Sequence, residues 1–260
     1  MCQRFCGSPD QERRELIRSV SPPQSVLPPI AAYDIFAPAY QAYAESKRRY
    51  LQKVEEIVID RIGSAGSLLD VGAGDGRRAL RIARSARVGR VVLLEPSAGM
   101  RARCPDGVEI WPCRISEIHA APPAFEVITC LWNVLGHLSD DRERALTLAA
   151  IGNLLAPGGA VFLDVSHRYN AAAYGWGRTL LRVAHDFFRP SEKHGDVVVS
   201  WKAGERTIYT QGHLFTHAEI TSLCRFAGLK IARRWAIHYE TGESCRCSLS
   251  GHLLYQLTSA

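Results

Sequence analysis

Residues 68–76, LLDVGAGDG, constrain this chain more than any other stretch. A short apolar run enters glycines at alternate positions, 72, 74 and 76, and passes directly into GRRALRIARSA (76–86), an amphipathic helical pattern. Glycine permits positive φ and lets a ligand pack on bare backbone. The helix that follows offers free N–H donors at its start. The same strand-then-helix rhythm continues downstream. RVVLLE (90–95), VEIWP (108–112), FEVITCLWN (125–133) and AVFLDV (160–165) read as buried strands. SAGMRARC (97–104) and DDRERALTLAAIGNLLA (140–156) read as helices, the second with acids in its first turn, as the helix dipole favours. LKIARRWAIHYE (229–240) and HLLYQL (252–257) supply the last strands. The expectation is an α/β chain: a doubly wound, mostly parallel, seven-stranded sheet.

Around this sheet the chain divides further. Residues 1–29 end in SPPQSVLPP and read as a flexible Pro-rich extension. Residues 30–63 read as an N-terminal helical cap, helical from about Tyr33 to Ile62 with a break at Pro38. Residues 64–260 form the main domain, interrupted after the fifth strand by an insertion at 166–215. Within the insertion, DVVVSW (196–201) and RTIYTQGHLF (206–215) form a two-strand excursion around Ala203-Gly204-Glu205. THAEITSLCRFAG (216–228) then opens on a capping box, Thr216 with Glu219.

Composition excludes several classes. With 47% hydrophobic and 22% charged residues the chain can fill a core and is not wholly disordered. No window approaches the roughly 18 apolar residues of a membrane span, so no membrane partner is expected. The first residues lack an apolar h-region, and eight cysteines without a secretory signal fit a reducing cytoplasm. Cys245 and Cys247 form a lone CxC with no second pair at zinc-ligand spacing, so no metal is expected. The net charge of +6, from 32 basic and 26 acidic residues, permits nucleic acid without requiring it.

The glycine spacing selects among ligands. A dinucleotide loop needs a third glycine where Arg77 stands, and a phosphate-binding GK[ST] is missing. Asp70, two residues ahead of the loop, disfavours a pyrophosphate and favours a cationic ligand. Glu95 ends the second strand, over the same crevice, where a carboxylate can accept both hydroxyls of a ribose.

DVGAGDG and LLEPS, followed by FEVITCLWNVLGHL and LLAPGGAVFLDV, resemble the class I S-adenosylmethionine-dependent methyltransferases over about 66–165. The resemblance implies a Rossmann-like fold and S-adenosylmethionine as cofactor. It implies that Gly72 and Gly74 face the methionine part, that Asp70 sits near its amino group and that Glu95 holds the ribose. The adenine contact falls on Pro112-Cys113-Arg114-Ile115, where the usual acid is replaced. YDIFAPAY (33–40) is similar to the tyrosine-bearing lid of many family members. The implied cofactor set is Tyr33, Asp70, Gly72, Gly74, Asp75, Glu95, Arg114, Ile115 and Leu131.

A sulfonium methyl is already activated, so positioning dominates and a base is needed only if the acceptor must lose a proton. Tyr33, Tyr40 and His137 are the candidates for that work. Asn133, His137, Arg168, Tyr169, Arg178 and His213 are the candidate acceptor contacts, the arginines suiting a carboxylate. The expected activity is methyl transfer to a small, carboxylate-bearing acceptor. Three alternatives stay open: a tRNA wobble-uridine methylase, aminocarboxypropyl transfer or cyclisation on the same fold, and a cofactor-binding partner without turnover.

Overall fold

The computed structural model describes residues 25–118 and 125–260. Two helices open it, α1 (Pro29–Ser46) and α2 (Arg48–Ile62). Strand β1 (Ser67–Val71) leads through the glycine loop into α3 (Arg77–Ser85). Next come β2 (Arg90–Leu94), α4 (Ala98–Arg101), β3 (Glu109–Trp111), β4 (Phe125–Cys130), α5 (Asp141–Leu154) and β5 (Leu155–Val165). The insertion contributes α6 (Ala171–Tyr174), α7 (Trp176–Phe188), β6 (Asp196–Ala203) and β7 (Arg206–His213). The chain closes with α8 (His217–Phe226), β8 (Leu229–Ile237), β9 (Ser244–Cys245) and β10 (His252–Ser259).

The main sheet runs β3-β2-β1-β4-β5-β10-β8-β9. Parallel pairing joins the first five, with Leu69 of β1 opposite both Val92 of β2 and Ile128 of β4. Side chains of β1, of β4 and of the later parts of β2 and β5 are buried on both faces, which is why these strands read as continuous apolar runs, while β3 at the edge is only partly covered. Strand β10 is antiparallel to both β5 and β8. The sheet has eight strands where seven were expected. The eighth, β9, is two residues pairing with Ala236 and Ile237, too short to leave a sequence pattern.

One face of the sheet packs under α5 and α8 through Leu148, Ile151, Ile220 and Cys224. The other packs under α2 and α3 through Tyr50, Val54, Val58, Ala79 and Ile82. The order reverses between β1 and β4, and that switch point opens the crevice in which such sheets bind ligands.

Helix α1 does not break at Pro38; it continues to Ser46, and the break falls at Lys47. Pro38 removes the N–H that would reach the Asp34 carbonyl. Docking outweighs that loss. The Asp34 carboxylate accepts from Ser97 Oγ (2.6 Å) and from the Gly99 N–H (2.9 Å), pinning α1 onto α4. A Cβ on Gly99 would lie 2.7 Å from the Asp34 carbonyl, so the approach requires a glycine. The other side of α1 packs on the β6–β7 hairpin, where Phe36 stacks on Trp201 (4.9 Å between centroids, 19° between planes) beside Ala32 and Ile208.

The Pro-rich extension extends beyond the described residues at its start, but its end is fixed. Leu27 donates its N–H to the Tyr209 carbonyl (2.9 Å), and Thr210 Oγ1 donates to the Leu27 carbonyl (3.0 Å). Residues 25–29 therefore depart from the expected flexible tail: an isolated bridge to β7 holds them, which proline content alone did not reveal.

Candidate functional site

The glycine loop forms because its backbone needs left-handed geometry. Gly72, Gly74 and Gly76 have φ of +67°, +62° and +69°. Their neighbours also leave no room for side chains. A Cβ on Gly72 would strike Val134 at 2.6 Å, and one on Gly74 would lie 2.8 Å from the Tyr40 hydroxyl. Beside this loop lies a cavity of about 400 Å³, within the roughly 300–1,000 Å³ range of small-molecule sites.

Glu95 sits on the cavity wall, almost fully buried. Its Oε2 accepts from the Gly74 N–H (2.8 Å) and its Oε1 from the Ser97 N–H (2.8 Å). Burial pushes its carboxyl up to about 7, against the pull of those two donors. Each oxygen keeps acceptor capacity toward the cavity. Gly72, Gly74, Arg114, Ile115, Leu131, Tyr33, Tyr40 and His137 also line the space, so the structure brings together most of the expected cofactor and catalytic set.

Asp70 and Asp75 are not in the lining. Asp70 is buried behind the loop, where Thr129 Oγ1 donates to its Oδ1 (2.7 Å) and its Oδ2 has no partner among the described residues. Asp75 caps the start of α3, accepting from the Arg77 N–H (3.2 Å). Asp70 lies on β1 ahead of the loop and turns to Thr129, and Asp75 turns back onto the start of α3, so neither side chain reaches the cavity wall.

Arg78 takes the place the sequence reading left empty. It is buried, lines the cavity, and donates from Nη2 to the Leu131 carbonyl (3.3 Å), while its Nε has no partner among the described residues. Burial alone would lower its pKa, but the Asp70 carboxylate raises it further and keeps the guanidinium charged. The signal was present in the sequence: Arg78 shares the inward helical face of Ala79, Ile82 and Ala83, an unusual position for an arginine.

Trp132 is the other residue the sequence reading passed over. It and Asn133 both adopt left-handed backbone, with φ of +64° and +60°. For a bulky side chain that geometry is strained. Asp164 holds it, accepting from the Trp132 N–H (2.9 Å) and from the Tyr50 hydroxyl (2.5 Å). The indole lines the cavity and stacks on Tyr43 (5.5 Å, 12°). Asn133 faces away. Its Oδ1 accepts from the Ser166 N–H (2.9 Å) and its Nδ2 donates to the His213 carbonyl (3.3 Å), so it joins the strand ends and does not contact the cavity.

His137 donates from Nδ1 to the Gln211 carbonyl (3.2 Å), which leaves Nε2 as an acceptor. Burial lowers its pKa to about 4, so the ring is neutral at physiological pH. Tyr33 meets it edge-on at 5.5 Å. Burial raises the pKa of both Tyr33 and Tyr40, which excludes either as a phenolate base near neutrality.

The expected arginine-rich acceptor wall is not built. Arg168 is buried away from the cavity, bonded to Asp186, Glu219 and the carbonyls of Leu214, Ser191 and Glu192. Tyr169 donates to the same Asp186 (2.7 Å). His213 is buried against Asp196 (2.7 Å), and Arg178 is exposed on α7. Arg168, Tyr169 and His213 stitch the insertion together through its carboxylates Asp186 and Asp196, and Arg168 also ties it to Glu219 of α8. The insertion reaches the cavity through Gln211 instead, opposite residues 26–30.

His185, Asp186 and His194 place potential ligand atoms within 4.8 Å of one another. Asp186 is already bonded to Arg168, Tyr169 and His194, and the adjacent guanidinium opposes a dication.

An α/β sheet in this order, with a bare glycine loop and a ribose-ready carboxylate at its switch point, defines a class I methyltransferase. The residues fit S-adenosylmethionine: an unpartnered Arg78 Nε for a carboxylate, an unpartnered Asp70 Oδ2 nearby, and the Glu95 carboxylate for hydroxyls. The sequence profile of a methyltransferase domain matches residues 40–233, and the chain belongs to that family, as an S-adenosylmethionine-dependent methyltransferase. No curated protein matches it by sequence. Solved structures share the fold. The amino pentose methyltransferase CalS10 from Micromonospora echinaspora, solved with S-adenosylmethionine, has a TM-score of 0.58 at 21% identity, covering 85% of this chain and 97% of that one. A Thermotoga maritima methyltransferase, described as a possible histamine N-methyltransferase, has a TM-score of 0.61 at 13% identity, covering 88% and 99%. The CcbJ methyltransferase from Streptomyces caelestis has a TM-score of 0.58 at 16% identity, covering 80% and 89%.

Proposed function

We propose that this enzyme methylates a small-molecule amine held against Tyr33, Tyr40, Trp132 and His137. The observation that carries the reading is the wall of the 400 Å³ cavity: aromatic faces beside the glycine loop, roofed by residues 26–30 and Gln211. Such faces suit an apolar body carrying an amino group. Among the described residues, Arg114 is the one arginine besides Arg78 in the lining, and it is paired with Glu143 (2.6 Å), so none of them recommends a carboxylate on the acceptor side. The amino pentose and histamine chemistry named for two fold neighbours supports the same class.

Bound S-adenosylmethionine supplies an activated methyl group, whose transfer is an in-line displacement. The chain's residues do the positioning. Glu95 accepts ribose hydroxyls, Arg78 pairs with the cofactor's carboxylate, and Arg114 and Ile115 border the adenine. His137 presents a neutral Nε2 that accepts a hydrogen bond from the amine N–H and orients its lone pair. The product ammonium loses its proton to solvent, because burial leaves the His137 ring, with a pKa lowered to about 4, too weak a base to take it.

The basic stretch from Arg77 to Arg103 gives little support to an RNA substrate. Arg81 is bidentate on Glu55, Arg90 is bidentate on Glu109, and Arg101 is turned onto the carbonyls of Glu95 and Pro96. The test is formation of S-adenosylhomocysteine from a panel of amines, carboxylates and tRNA. Amine-dependent turnover is the expected result. Turnover confined to tRNA or to carboxylates overturns the assignment, and a thioadenosine product points to carboxypropyl chemistry.

A further inference from the structure

Helix α7 is oriented opposite to an ordinary surface helix. Its polar side faces the protein. Thr179 is buried, and Asp186 bonds Arg168 and Tyr169. Arg182 donates to the Arg168 carbonyl (3.2 Å) and lies 4.3 Å over the Tyr174 ring. These bonds fix the helix's rotation, so its apolar side cannot turn inward without breaking the Asp186–Arg168 pair. That apolar side faces solvent. Trp176, Leu180, Leu181, Val183, Phe187 and Phe188 are 56%, 59%, 71%, 36%, 79% and 78% exposed. At 100° per residue they fall within one broad arc of the helix.

The exposed charges beside this arc are mostly of one sign. Arg178, Arg189 and Lys193 are exposed there, and Glu192 is the one exposed acid between residues 176 and 194. Large aromatic and aliphatic side chains flanked by arginines form the pattern of a helix that lies in a membrane interface. The helix has 13 residues, too few to cross the roughly 30 Å hydrocarbon layer. A second copy of the chain would bring the same cationic flank against itself, whereas anionic headgroups would neutralise it.

We propose that α7 docks the enzyme onto an anionic lipid surface, with Phe187, Phe188, Leu181 and Trp176 entering the headgroup region and Arg178 and Arg189 pairing with lipid phosphates. The expectation of no membrane partner rested on hydropathy windows, which detect spans and miss amphipathic faces. The docking is independent of which acceptor the active site takes.

Flotation of the full chain with vesicles tests it. Binding to vesicles of mixed phosphatidylglycerol and phosphatidylcholine is expected, with little binding to phosphatidylcholine alone and a decline as salt rises. Phe187→Ser with Phe188→Ser should weaken vesicle affinity by roughly tenfold or more. Arg178→Gln should weaken it by roughly fivefold on anionic vesicles only. Neither change should alter the thermal shift produced by S-adenosylhomocysteine, which reports a folded cofactor site. In the wild type, Trp176 emission should move to the blue on anionic vesicles, a change missing in Trp176→Phe. Failure of the wild type to float overturns the proposal, as does undiminished flotation of the double variant. Sedimentation equilibrium showing a dimer that the double variant dissociates also overturns it, because the face would then be covered by a second copy.

Discussion

Glu95 illustrates how one buried carboxyl links stability to ligand affinity. Its ordinary value of 4.5 rises to about 7 in the folded chain. The folded state therefore holds this proton more tightly than the unfolded state. Stability from this group is fully present below pH 4.5 and is lost as pH rises through 7, by on the order of 3 kcal/mol at most. Ribose hydroxyls favour the ionised form, so cofactor affinity should fall as pH drops below about 7. Glu95→Gln should flatten the dependence of melting temperature on pH in the ligand-free protein while weakening cofactor binding. Parallel melting curves and calorimetry on the two proteins check both halves. His137 makes the opposite case. With its pKa lowered to about 4, it should contribute no limb near pH 6.5 to the kcat profile at saturating cofactor. A break there that disappears in His137→Gln would contradict the burial argument. The glycines and Glu95 were legible in the sequence because backbone geometry and strand ends demand particular residue types. Arg78 was legible only as an exception: its spacing puts it on the apolar face of α3, whereas the rule that reads helix faces assigns arginines to solvent. Trp132 escaped for a similar reason: no sequence pattern reports a bulky residue held at positive φ by a distant Asp164.

The lid is built from two elements far apart in the chain, α1 and the β6–β7 hairpin. Trp201 joins them, stacked on Phe36 and 4.9 Å from Tyr33 and 5.6 Å from His137. Trp201→Ala should cost up to about 3–5 kcal/mol of packing between them. The expected signature is faster amide exchange in α1 and a raised acceptor KM, with a much smaller change in cofactor affinity. Equal loss of both affinities would place Trp201 in the support of the whole crevice. The hairpin and the α8 capping box could be read in advance because turn residues and caps act locally. The continuity of α1 through Pro38 could not, because the contacts that compensate come from Ser97 and Gly99, sixty residues downstream. The acceptor wall failed for a related reason. Arg168, His194 and His213 found carboxylates within the insertion, and pairing of that kind depends on folded geometry that composition does not encode.

For the whole molecule, ligand binding and folding are linked through the switch point. At one hundred times its dissociation constant, S-adenosylhomocysteine should stabilise the fold by about 2.7 kcal/mol. In a chain of this size that corresponds to a rise of roughly 5–10 °C in melting temperature. NAD should produce no such rise, and a shift with NAD alone would contradict the glycine-spacing argument. The parallel half of the sheet was readable from its run of apolar strands. The strand order was not, because nothing local specifies which edge a late strand joins. That order carries a consequence for synthesis. Strand β10 lies inside the sheet, hydrogen-bonded to β5 on one side and β8 on the other. Without residues 252–259, β5 and β8 each keep an open edge with no partner strand between them. Closure of the sheet must wait for β10 to leave the ribosome, which exposes the nascent chain to mispairing and to chaperones until then.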